Sequence, residues 1–147
     1  MNKLITLPDK QLRHVCYEVG DTNITIRVKS VSKMAKCPYC GWVSKKVHSH
    51  YVRILQDLPI QGKKVKLALR LKKYFCNNEG CGYKTFAETF SFFEPRATKT
   101  KRLQEEILRV SLTQSSVSAA TYLRKSVADV GKSTICNLLK KIDDATP

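Results

Sequence analysis

The sequence predicts an α+β protein in two parts, β-rich over residues 1–93 and helical over residues 94–147. Three observations carry the prediction: apolar and basic side chains alternate from Lys63 to Phe75, cysteine-bearing turns stand at residues 37–41 and 76–82, and the apolar spacing becomes helical beyond residue 94. With 147 residues, the chain is long enough for one ordinary domain or two small ones.

The β part is expected to start at residues 23–31, NITIRVKSV, where Ile24, Ile26 and Val28 stand two apart with polar residues between them. After the turn Cys37-Pro38-Tyr39-Cys40-Gly41, the stretch VHSHYVRIL from Val47 to Leu55 is β-branched and aromatic. The segment PIQG at 59–62 carries the Pro and Gly of a turn. The returning arm, residues 63–75, sets Val65, Leu67, Leu69 and Leu71 on one face and Lys64, Lys66, Ala68, Arg70 and Lys72 on the other. Two readings of that basic face stand side by side: phosphate contacts, or solvent-side lysines that discourage edge-to-edge pairing. A further short strand is expected from Lys84 to Phe90, and FSFFEPRATKTK then reads as a linker.

In the helical part, Leu103, Ile107, Leu108, Val110 and Leu112 recur at helical spacing behind Thr98 or Thr100 as N-cap. A second helix is expected after Ser115 and Ser116, with Val117, Ala120 and Leu123 on one side. A third, STICNLLKKI, turns Ile135, Leu138, Leu139 and Ile142 inward. Three short helices of this kind suggest a helix-turn-helix, in which the N-terminal residues of a recognition helix reach base edges. There Asn137 has the geometry to pair with adenine, Ser133 and Thr134 to reach phosphates, and Lys132, Lys140 and Lys141 to neutralise them. A plain solvated bundle would show the same pattern.

Six cysteines in a chain without a secretory leader are read first as metal ligands. Cys37 and Cys40 form one tight turn, Cys76 and Cys81 a looser one, and a hairpin between them brings the turns together. Four thiolates complete a tetrahedral structural Zn2+ site. That makes the first part zinc-ribbon-like, with the metal substituting for a core that a small β unit cannot build alone. A redox role for the CxxC needs a βαβ context that is missing. His48 and His50 find no vacancy in a four-cysteine shell, and Cys16 and Cys136 are expected to be ordinary thiols. A closed shell also leaves no open position for water, which argues against a metal-dependent enzyme.

The 27 Lys and Arg against 12 Asp and Glu give a net charge of +15, with a pI of about 9.7. A polyanionic partner is therefore expected; charge alone does not separate nucleic acid from an anionic membrane surface, and the expectation taken forward is double-stranded DNA, with neither a membrane nor a small-molecule substrate. No apolar run is long enough to cross a bilayer, so cytoplasmic residence follows as the default.

With these residues in view, the chain resembles the N-terminal part of the ISL-three family of insertion-sequence transposases, a zinc-binding segment followed by a helix-turn-helix. The likeness rests on CPYCG at 37–41, the run from Val47 to Cys76 with His48, Tyr51, Arg53, Asp57, Leu58, Pro59 and Gly62, the CNNEGC turn, and TFAETF at 85–90. More weakly it extends from Ser118 to Ile142. The resemblance implies a module that finds the terminal inverted repeats of a mobile element, truncated before the acidic-triad nuclease domain that cuts and joins DNA. No catalytic residue is therefore expected, and Asp143 and Asp144 cannot supply one. Such a chain would pair with DNA, with full-length transposase or with itself. It would be a gene fragment or a short repressor of transposition; a zinc-ribbon module for protein docking is the competing reading.

Overall fold

The computed structural model describes residues 7–112, 116–128 and 135–139. Among these residues the elements are, in chain order, β1 (Leu12–Val19), β2 (Asn23–Ser30), β3 (Ala35–Lys36), β4 (Val43–Ser44), β5 (Val47–Ile60), β6 (Lys63–Phe75), β7 (Thr85–Ala87), α1 (Lys101–Ser111) and α2 (Ser116–Ser126), with residues 135–139 also helical.

The main sheet has the order β1-β2-β6-β5, and β7 pairs with the end of β6 beyond the point where β2 stops. Because β2 runs parallel to β6, the chain must cross over between them, and this crossover contains the small β3–β4 hairpin and all of β5. β5 and β6 form the long antiparallel hairpin that the alternation predicts. Its tip is a two-residue loop in which Gln61 (φ 50°) and Gly62 (φ 74°) are both left-handed, the conformation whose twist matches the flanking strands. Pro59 sits inside β5 and not in the turn; the register shifts between Asp57 and Ile60, an irregularity that tolerates a residue without an N–H.

One strand goes beyond the sequence reading. β1 pairs antiparallel with β2 around an irregularity between His14 and Cys16, and most of its side chains are exposed, so its apolar signal is weak. Its Cys16, expected to be an ordinary thiol, is exposed.

The sheet buries one face. Ile24, Ile26, Val28, Leu55, Val65, Leu67, Leu69 and Leu71 pack against Phe92 and Phe93. The segment read as a linker thus supplies two core residues. The β part also holds a hydrophobic core of its own, apart from the cysteines, which corrects the expectation that a metal stands in for it.

The helices gather a second cluster of Leu103, Ile107, Val110, Ala119, Ala120, Val127, Ala128, Ile135 and Leu138, with Leu58 of β5 packed against it. Thr100 caps α1, its side chain accepting from the Leu103 N–H, and Leu103, Ile107 and Val110 form the buried stripe. Leu112, expected on that stripe, is exposed because the helix ends before it. Ala119 and Ala120 are fully buried in α2, so small side chains bring it close to its neighbours. Residues 135–139 are helical, within the span expected for the third helix; Ser133, Thr134, Lys140, Lys141 and Ile142 of that span, and Lys132 before it, lie outside the described residues.

A polar clamp joins the two clusters. Asp57 of β5, 3% exposed, accepts hydrogen bonds from Thr100 Oγ1 at 2.8 Å and from Arg102 Nε at 2.8 Å, and a second bond from the same guanidinium. Backbone bonds between Gln56 and both Thr98 and Thr100 add a short parallel bridge to the free side of β5 just before α1 begins.

Candidate metal centre and nucleic-acid surface

Both cysteine pairs sit where strands end. Cys37 follows β3, and its N–H donates to the Trp42 carbonyl while Gly41, at φ 81°, closes the turn by donating to the Cys37 carbonyl. Cys76 follows β6 and donates to the Lys84 carbonyl; in the wider loop the Cys81 N–H donates to Asn78. The long β5–β6 hairpin returns the chain to the β3–β4 turn, so the two loops meet.

The four sulfurs all lie within 4.8 Å of one another, with Cys37 and Cys81 at 4.0 Å and Cys40 and Cys76 at 3.5 Å. Thiolates placed tetrahedrally around zinc at about 2.3 Å stand about 3.8 Å apart, so this spacing suits Zn2+ and is far too long for a disulfide. The Asn78 side chain, then the backbone at Trp42, bring the Cys40 thiol down to about 6, whereas burial pushes Cys76 up to about 12. Zn2+ bound here would supply the positive charge that favours the thiolate form of all four cysteines, the buried Cys76 included. Tyr74, fully buried, and Phe86 close the inner side of the site.

His48 makes an edge contact with Phe75 and His50 lies exposed on β5, so neither enters the cluster. Sequence reasoning missed two neighbouring features. Tyr39 and Tyr83, one from each cysteine loop, stack at 3.6 Å between centroids and remain exposed, as does Trp42. Glu88, buried behind β7, accepts from Ser30 Oγ at 2.9 Å and the Lys72 N–H at 2.8 Å, and burial raises its pKa above the usual carboxylate value.

The expected DNA contacts divide into two places. Lys64, Lys66, Arg70 and Lys72 lie on the outer face of β6, with Lys66 and Arg70 exposed and Lys64 and Lys72 half-buried. The Lys72 amine also donates to the Ser32 carbonyl. Asn137 is exposed, on the rim of a cleft of about 420 Å3 that also takes in Arg96, Thr98, Lys99 and Gln104. No helix among the described residues is long and apolar enough to cross a membrane.

No curated protein and no solved structure matches the chain. Residues 33–81 do match the family model described as the zinc-finger of transposase IS204/IS1001/IS1096/IS1165. The matched segment begins before β3 and ends at Cys81, enclosing both cysteine loops and the hairpin that joins them. Residues 33–81 are thus similar to the zinc-ribbon of these transposases, with Cys37, Cys40, Cys76 and Cys81 as the ligands of a structural Zn2+.

Proposed function

We propose that the chain is the DNA-binding module of a transposase and recognises the terminal inverted repeats of an insertion sequence. The observation that carries this reading is the match of residues 33–81 to a transposase zinc-finger, at a segment where the structure brings the four cysteines together. The net charge of +15 supports a polyanionic partner. In this reading residues 1–93 form the zinc-bearing unit and residues 94–147 a helix-turn-helix unit, the two hydrophobic clusters being their cores. Zinc holds the two cysteine loops together and takes no part in chemistry, since four thiolates close its shell. No residue is given a catalytic role.

Base reading falls to the helical unit, with Asn137 as the residue that pairs with adenine and Lys132, Ser133, Thr134, Lys140 and Lys141 on flanking phosphates. Exposure of Asn137 beside Arg96 and Lys99 supports this assignment. The test is a mobility shift of zinc-loaded protein on duplexes carrying the terminal repeats of a neighbouring mobile element, against scrambled duplexes of equal length. Selective retardation is expected, and Asn137→Ala should lower the preference by about 1–3 kcal/mol. Equal loss on both duplexes would refute the role of Asn137, and equal binding by the unaltered protein would refute end recognition.

A second reading, docking onto another protein such as a further transposase copy, is favoured by the exposed Tyr39, Trp42 and Tyr83 at the zinc end. Salt separates the two. DNA affinity falls steeply as salt rises, while an apolar interface holds.

A further inference from the structure

Arg13 of β1, Arg27 and Lys29 of β2, and Lys64, Lys66, Arg70 and Lys72 of β6 all occupy positions that alternate with the buried ones, so they share the outer face of the main sheet. The register sets Arg13 opposite Lys29 and Lys29 opposite Arg70, an unbroken row of three cations across three strands. His50 stands opposite Lys72 on β5, and a concavity of about 330 Å3 is lined by Lys29, Ser30, His50, Arg70 and Lys72. Glu18, 4.0 Å from Arg27 and largely exposed, is the only carboxylate on the outer face of these four strands.

Like charges set directly opposite one another destabilise a sheet. Edge protection accounts for Arg13 on β1 but not for Lys29 and Arg70, which belong to β2 and β6, the interior strands. On β5 the exposed Val52 and Ile54 stand opposite Arg70 and Ala68, so the face is cationic over β1, β2 and β6 and apolar beyond them. At about 4.8 Å per strand the row spans about 10 Å, on the scale of three base-pair steps of one DNA strand. The two arginines offer planar guanidinium forks that match phosphate oxygens bidentately.

We propose that this face is a platform for the phosphate backbone of double-stranded DNA, centred on Arg13, Lys29 and Arg70, and that it grips duplex without regard to base sequence. The inference rests on the reading of the chain as DNA-binding and adds a surface to which β1 and β2, outside the matched segment, contribute.

The test compares full-length zinc-loaded protein with the variant Arg13→Gln/Lys29→Gln/Arg70→Gln on a terminal-repeat duplex and a scrambled duplex over a salt series. Each lost phosphate contact removes about 0.9 from the slope of log affinity against log salt, so the triple variant should lose about 2.7. Between about 50 and 200 mM salt the unaltered protein should therefore weaken about 40-fold more than the variant, equally on both duplexes. Zinc content and far-ultraviolet circular dichroism verify the fold; should the triple variant not fold, Arg70→Gln alone should lower the slope by about 0.9. An unchanged slope with end selectivity intact would overturn the platform and leave the DNA-binding reading standing. Weakening confined to the terminal-repeat duplex would overturn its sequence independence. If the unaltered protein binds neither duplex, the DNA-binding reading falls and the platform with it.

Discussion

Asp57→Ala removes the carboxylate that ties β5 to the start of α1. Its side chain is 4% exposed and holds Thr100 and both donor positions of Arg102, so the substitution leaves a buried hydroxyl and a guanidinium short of acceptors. The Arg102 pKa is raised chiefly by that hydrogen bonding. A hydrogen bond to a charged group contributes about 1.5–3 kcal/mol. Arg102 is 32% exposed, so water recovers part of its share. Thr100 is fully buried and its oxygen also accepts from the Leu103 N–H, so its loss reaches the helix cap. The net cost should be about 3 kcal/mol, a large fraction of the roughly 5–15 kcal/mol that holds a domain together. Urea unfolding of zinc-loaded protein reads this as a midpoint lower by about 1.5 M for a slope of about 2 kcal/mol/M. Asp57→Asn keeps an acceptor for Thr100 and should lose less. A cycle with Arg102→Met should show coupling above about 1 kcal/mol. An Asp57→Ala midpoint within about 0.3 M of the unaltered protein would refute the clamp.

Cys40→Ser should abolish tight zinc binding and, in cobalt-loaded protein, weaken the thiolate-to-metal charge-transfer band; full metal occupancy would contradict the four-thiolate site. Chelation should expose the amides of residues 35–44 and 76–87 to hydrogen exchange before those of β2 and the middle of β6, because the main core is separate from the cysteines; simultaneous exposure would show that it depends on the metal. Glu88 has a raised pKa in the folded state, so its contribution to stability is greatest below the ordinary carboxylate value and is lost as pH rises through the folded pKa. Relative to the unaltered protein, Glu88→Gln should therefore gain stability between acid and neutral pH, measured as the difference in urea midpoint; a constant difference would count against the shift. Gly62→Ala places a side chain at φ 74° and should cost about 1 kcal/mol, whereas Gln61→Asn should stabilise the turn; equal midpoints for all three would argue against the left-handed loop.

Much of the site was legible because its signals are local. The four cysteines announce themselves by spacing, β2 and β6 by alternation, since a half-buried strand must repeat every second residue, and β5 by its β-branched and aromatic content. β1 escaped because an exposed edge strand carries little apolar pattern. Phe92 and Phe93 escaped because a segment without a regular period can still place two aromatic rings against a sheet. Asp57 left a faint trace, a carboxylate two residues after buried Leu55 where the alternation demands an apolar side chain, but its partners stand more than 40 residues away.

The sequence by itself determined the zinc ligands, the hairpin and the excess of positive charge, all of which follow from residue type and short-range spacing. Only the tertiary structure decided that β2 lies beside β6, that Arg13, Lys29 and Arg70 therefore form one row, and that Asp57 joins sheet to helix. Strand order and long-range ion pairs depend on which surfaces are buried together, and no local pattern encodes that choice.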